Sequence, residues 1–226
     1  MKLIKSQVVF NPDEHTYMLG DKELSGITSV IGRHLFPDKY RDVPEDVLRK
    51  AAERGTMIHS ICELVDDMGI THDSDEAQGY KELKDDWGLR YECSEYLVSD
   101  NEHYASCIDK VYRENDTDFT LGDIKTTYVL DKESVRWQLS IYAYLFELQN
   151  PGCNAVRLIG IWLRGKNHEI VEVERIPSEV VMNLLKCDSE GRQFVNPYSI
   201  SPVTLPDEYR KMERTIQEIV SQAKYW

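Results

Sequence analysis

At 226 residues, 41% apolar and 10% aromatic, the chain is long enough to bury a substantial core, which excludes disorder as the starting expectation. Its longest apolar runs, such as Val156 to Leu163, are broken by Arg157 and Arg164 and fall short of the ~20 residues of a membrane helix, so no membrane partner is expected. The net charge of −13, from 27 basic and 40 acidic residues, argues against nucleic-acid binding by bulk electrostatics but leaves a local site open.

In chain order, the N-terminal MKLIKSQVVF has two lysines but neither an apolar h-region nor a small-residue cleavage site, so a cytoplasmic protein is expected. Val8 to Phe10 and Thr16 to Leu19 read as short strands around the turn Asn11-Pro12-Asp13-Glu14. Ser29 is placed to cap a short helix ending at Leu35. Pro44, Glu45 and Asp46 open a longer helix, with proline at its first position and acid facing the macrodipole. Val47, Leu48, Ala51, Met57, Ile58, Ile61, Cys62 and Val65 carry its period to about Met68, with Gly55 either a break or a close-packing point. Another helix is expected over Asp75 to Trp87.

The period then changes. Tyr91 to Ser99, Tyr104 to Tyr112 and Phe119 to Thr126 alternate as strands, and the run from Arg113 to Asp118 supplies turn chemistry, giving a three-stranded antiparallel meander. Ser134 to Gln149 reads as a helix, Val156 to Leu163 as a buried strand, and Glu169 to Arg175 as a strand beside it. Ser178 to Lys186 and Pro206 to Ala223 are expected to close the chain as helices. With no repeat or long linker, residues 1–226 read as a single α/β domain around one mixed sheet, its core spanning about 45–175, with an N-terminal hairpin and C-terminal helices.

Charge is unevenly spread. From His59 to His103 there are thirteen Asp/Glu against three Lys/Arg, whereas Arg33 to Arg54 holds six basic residues against five acidic. The latter stretch either guides a polyanion toward the residues that follow it or is a solvated helix whose charges pair locally. The five cysteines, Cys62, Cys93, Cys107, Cys153 and Cys187, lie at least 14 residues apart, which excludes CxxC motifs and disfavours a disulfide framework.

The chemistry concentrates on the second hairpin of the meander. A turn centred on Asp116 sets a register that places Asp109 opposite Asp123, with Cβ atoms ~5 Å apart. Two carboxylates at that range repel by about 3 kcal/mol at an effective dielectric near 20, so a cationic partner is expected between them. Lys125 shares the face of Asp123, while Ile124 points the other way. Two hard carboxylates suit Mg²⁺ or Mn²⁺, and a neighbouring ammonium suits a water or a phosphate oxygen. Asp-x-Lys alone is equally a polar strand edge. Its weight comes from company: His59, able to lend a neutral nitrogen, with Glu63 one turn on, and Gln138 and Tyr142 on one face of the following helix.

The ordered set Gly55-x-x-x-His59, Glu95, Ile108-Asp109, Asp123-Ile124-Lys125-Thr126 and Gln138-x-x-x-Tyr142 resembles the RecB-like branch of the PD-(D/E)XK nuclease superfamily, over roughly Ala51 to Tyr144. His15-Thr16-Tyr17, Thr28-Ser29-Val30 and Ala52-Glu53-Arg54-Gly55-Thr56 resemble, more loosely, the leader of stand-alone phage and prophage copies. The resemblance implies a restriction-endonuclease-like core, a central mixed β-sheet flanked by helices, and metal-assisted phosphodiester hydrolysis of DNA. It makes Asp109, Asp123, His59 and the Ile124 carbonyl the metal ligands, Lys125 the residue that positions or activates water, and Gln138 and Tyr142 supports that contact DNA. Arg54 is a further substrate contact, and Glu63 and Glu95 are accessory acids, with Glu92 the alternative to Glu95. Ser106 departs from the glycine many relatives carry three residues before the first aspartate. The four-cysteine arrangement of iron–sulfur relatives is missing, so no iron–sulfur cluster is expected.

The function so implied is a Mg²⁺- or Mn²⁺-dependent DNA exonuclease in phage or bacterial replication, recombination or turnover. It would act on single- or double-stranded DNA in the bacterial host cytoplasm, with a recombination or single-strand-binding protein as a candidate partner. An endonuclease on the same fold and an inactive nuclease-like DNA-binding or interaction module are the alternatives. A small-phosphoester phosphatase ranks last, since no phosphate-cradling glycine loop is present.

Overall fold

The structure is a computed structural model, and it describes residues 1–199 apart from Asp13, Ile70 and Thr71. The expected helix from Pro206 to Ala223 lies outside the described residues. Met1–Phe194 form one compact unit, and Val195–Trp226 are grouped as another. In the latter, Asn196 holds a turn through Tyr198 N and Ser199.

The chain opens with β1 (Val9–Asn11), β2 (Thr16–Leu19) and β3 (Lys22–Gly26), followed directly by α1 (Ile27–His34). β3 was not foreseen, because Lys22-Glu23-Leu24-Ser25-Gly26 has one apolar residue to alternate about. α1 starts at Ile27 with Gly26 at its N-cap, so Ser29 lies inside the helix and does not cap it. α2 (Glu45–Met68) runs through Gly55 without a break; Pro44 is its N-cap residue, one position before that expected, and Gly69 at φ 64° ends it in the left-handed conformation. α3 (Asp75–Asp86) is capped by Ser74, whose hydroxyl accepts from Ala77 N.

The meander falls where the alternation placed it, as β4 (Tyr91–Ser99), β5 (Tyr104–Arg113) and β6 (Asp118–Lys125). α4 (Lys132–Gln149) is capped by Asp131, which accepts from Ser134 N at 3.0 Å. β7 (Asn154–Arg164), β8 (Asn167–Glu172) and α5 (Ser178–Ser189) complete the unit.

All eight strands join one mixed sheet in the order β1-β2-β3-β5-β6-β7-β8, with β4 paired to β5. The β5–β6 register is the one expected from a turn at Asp116: Lys110 faces Gly122 and Val111 faces Leu121. Pairing stops there, one position before Asp109 and Asp123, and β6 continues parallel to β7 while β3 pairs in parallel with the start of β5. The sheet therefore opens where the two aspartates stand.

Helices cover both faces. α1, α4 and α5 bury Val30, Leu139, Phe146 and Leu184 against one face, and α2 and α3 bury Ile58, Cys62 and Tyr80 against the other, where Ile124, Ile159 and Ile161 meet them. This is a mixed α/β fold with a central mixed sheet flanked by helices. Among the described residues no helix is long and apolar enough to cross a membrane.

Candidate active site

Asp109 occupies the opening of the sheet as a substitute for a strand partner. Its Oδ2 accepts the Ile124 N–H at 2.7 Å, closing a backbone donor that the diverging β5–β6 ladder would leave bare. His59 Nε2 lies 3.2 Å from the Ile124 carbonyl oxygen and 3.7 Å from Asp109 Oδ2. Helix α2 thus delivers His59 to the gap while Ile124 itself anchors its side chain among the α2 and α3 core residues.

Glu95 approaches from the other side of β5. Ser94 pairs with Lys110 and Tyr96 with Ile108, which brackets Glu95 opposite Asp109, yet Glu95 makes no ladder pair there because its φ is 47°. A non-glycine residue in that region is strained, and such strain gathers where a side chain must be aimed. The carboxylate lies 3.8 Å from His59 Nδ1 and accepts from Cys107 Sγ at 3.1 Å. Ligand atoms of His59, Glu95 and Asp109 all lie within 4.8 Å of one another, the one such group among the described residues. Glu92, the alternative, is instead held in a bidentate pair with Arg113, at 2.7 Å for each contact.

Asp123 is fully buried, and neither carboxylate oxygen receives an aligned hydrogen bond. Lys125 Nζ stands 2.6 Å from its Oδ2 as an ion pair. Asp123 lies outside the His59–Glu95–Asp109 group; the lysine holds it. Burial would lower the Lys125 pKa, but Asp123 and Asp109 outweigh burial and the net shift is upward. Burial likewise opposes protonation of His59, and the Asp109 and Glu95 carboxylates reverse this, raising its pKa to about 9. Burial raises the Asp109 carboxyl, with the Asp123 charge adding to it and His59 opposing. The cluster as a whole calls for positive charge. The two carboxylates and one imidazole of Asp109, Glu95 and His59 are the group close enough together to hold a metal ion.

These groups line a cavity of about 490 Å³ with Glu63, Gln138 and Tyr142. Gln138 Nε2 donates to the Tyr142 hydroxyl at 2.6 Å, and burial pushes that hydroxyl's pKa well up. Ser106, two per cent exposed, lines the same cavity as Tyr142 and Tyr17. Tyr17, Phe10 and His15 of the N-terminal hairpin also line this cavity, and the hairpin's place there left no mark in the sequence beyond three closely spaced rings.

Arg54 is placed differently from a substrate contact. It does not line the cavity: Nη1 donates to the Thr126 carbonyl at 3.1 Å and Nη2 pairs with Glu76. The other basic residues of the Arg33 to Arg54 stretch are paired as well, Arg33 with Asp188, Lys39 with Asp131, Arg41 with Asp38, Arg49 with Glu53 and Lys50 with Asp46. Local pairing describes Arg41, Arg49 and Lys50, whereas Arg33, Lys39 and Arg54 pair with carboxylates far along the chain.

Sequence reasoning also missed a buried network behind the site. Lys110, two per cent exposed, donates to Asp66 Oδ2 at 2.8 Å and to the Ser94 hydroxyl at 2.7 Å; Lys84 and the Tyr80 hydroxyl meet the same aspartate, and Tyr80 bonds Tyr112. It ties α2, α3, β4 and β5 together one residue from Asp109. No family model and no curated protein matches the chain. Among solved structures it is similar to one described as "Crystal structure of SSO0001", at 15% identity and a TM-score of 0.45, over 84% of this chain and 88% of that one.

Proposed function

We propose that the protein is a metal-dependent DNA nuclease, working as an exonuclease in phage or bacterial DNA replication, recombination or turnover. The observation that supports it most is the convergence of Asp109, Asp123, Lys125 and His59 where β5 and β6 part, with a buried carboxylate left without an aligned hydrogen bond. Asp109, Asp123, His59 and the Ile124 carbonyl would hold Mg²⁺ or Mn²⁺, with Glu95 as accessory acid. Bound there, the ion supplies charge that polarises a phosphoryl oxygen and acidifies a water.

The remaining work falls to the chain's own groups. Lys125, 2.6 Å from the Asp123 carboxylate, would position or activate the attacking water or steady a phosphoryl oxygen. Asp109, bonded to Ile124 N, fixes the relative position of β5 and β6 and hence of the two carboxylates. Gln138 and Tyr142 line the cavity on the α4 side, where they would support the site and contact DNA.

The experiment is digestion of end-labelled linear and covalently closed circular DNA, each single and double stranded, with Mg²⁺, Mn²⁺ or EDTA. Metal-dependent loss of linear DNA alone is expected. Cutting of circles would replace the exonuclease by an endonuclease, and no cleavage of any substrate would favour the inactive module.

A further inference from the structure

A second cavity, of about 410 Å³, opens beside the first, and Thr28, Lys125 and Gln138 line both. Its own walls are apolar: Phe36, Tyr40 and Val43 from the segment after α1, and Val129 from the loop after β6. The volume lies within the ~300–1,000 Å³ of small-molecule pockets. Tyr40 is 55% exposed and Val129 70%, so the mouth of the groove presents apolar surface to solvent.

Charge in the groove is locally cancelled. Besides Lys125, its charged residues are Lys39 and Asp131, paired at 2.8 Å. The Lys39 ammonium lies 5.5 Å from the Phe36 ring centre and 5.7 Å from that of Tyr40, which holds the two aromatic side chains about one cation. Away from Lys125 the wall offers a phosphate little, since Asp131 pairs with the Lys39 ammonium. It suits the flat, apolar face of an aromatic ring.

We propose that this groove takes an unpaired nucleobase of the strand whose phosphate lies at Lys125; the inference rests on the nuclease reading of the neighbouring cavity. Continuity through Lys125 and Gln138 puts the base one step along the strand from the scissile phosphate. In a duplex each base face is covered by its neighbours, so only a single strand or a frayed end can present one. The same conclusion follows from charge. With a net charge of −13, bulk electrostatics attracts a strand weakly, and base stacking in the groove would add affinity that does not depend on charge.

The test is steady-state digestion of linear single-stranded DNA, blunt duplex and duplex with unpaired ends by wild type, Tyr40→Ala, Tyr40→Phe and Val129→Glu, with Mn²⁺. Both side chains are exposed, so the variants are expected to fold, and circular dichroism checks this. Tyr40→Ala and Val129→Glu should raise KM about tenfold or more while changing kcat less, and Tyr40→Phe should retain the wild-type KM. Unpaired DNA should be digested in preference to the blunt duplex. An unchanged KM in Tyr40→Ala, or equal use of the blunt duplex, with wild-type cleavage intact, overturns the base groove and leaves the nuclease reading standing. Absence of cleavage by wild type on all three substrates overturns the nuclease reading, and the groove assignment with it.

Discussion

Asp123 is held in a state that folding alone does not favour. A buried carboxylate without an aligned hydrogen bond costs free energy unless a cation compensates it, and Lys125 does so from 2.6 Å. Such a residue contributes more to chemistry than to packing. Lys125→Ala should therefore cut turnover by ~10² or more while Mn²⁺ affinity, read by calorimetry, stays largely in place, since the lysine acts on water or phosphate and does not ligate. Loss of metal binding instead would mean that Lys125 serves to position Asp123. At this scale the sequence was legible where one rule sufficed: the turn at Asp116 set the β5–β6 register, and alternation put Lys125 with Asp123. Glu95 and Glu92 could not be separated in that way. Their difference lies in a positive φ at Glu95 and an arginine partner for Glu92, neither of which composition or spacing encodes.

Between elements, the site depends on how α2 is seated on β5. His59 and Asp66 lie two turns apart on α2, the first reaching the Ile124 carbonyl and the second the buried Lys110. Replacing Asp66 by alanine strands Lys110, and with it Lys84, without their counter-charge. The expected loss is about 3–5 kcal/mol in urea unfolding. Gly122, opposite Lys110, is tightly enclosed: an added Cβ would lie 3.1 Å from Tyr112, 3.2 Å from Ile161 and 3.3 Å from Lys110, so these buried side chains would have to shift. Gly122→Ala should accordingly destabilise by about 1–3 kcal/mol in the same assay. The strands and long helices were legible because their apolar period is regular, but the β5 pattern hides a slip. Strict alternation would put Ile108 on the face of Lys110 and Tyr112; instead Ile108 packs with Val111 on the α4 side. That slip falls at Asp109, opposite the kinked Glu95, and a periodic reading has no means of locating it.

Across the whole molecule the acidic balance shapes the expected mode of binding. The Arg33 to Arg54 cations each have a carboxylate partner, three of them on distant elements at Asp188, Asp131 and Glu76, and sequence could not choose between steering and pairing because those three partners are far along the chain. Binding to single-stranded DNA should therefore depend weakly on salt. Neutralising about two phosphates gives a slope of log K against log salt of about −1.4, measured by anisotropy between low and physiological ionic strength. A slope several-fold steeper would show that a basic surface, not the cavity, carries binding. The layered α/β architecture itself was readable from the order of periods, whereas the N-terminal hairpin's closing of the cavity depends on β3 pairing with β5, a long-range contact no local pattern announces.

The central claim is that buried carboxylates at the opening of the sheet drive metal-dependent phosphodiester cleavage. It is tested most directly by assaying wild type and Asp123→Ala, from matched preparations with matching circular dichroism, on labelled linear DNA with Mn²⁺ and with EDTA. The account predicts cleavage by wild type with Mn²⁺ alone and none by the folded variant. Cleavage that survives the loss of Asp123, or the removal of metal, would contradict it.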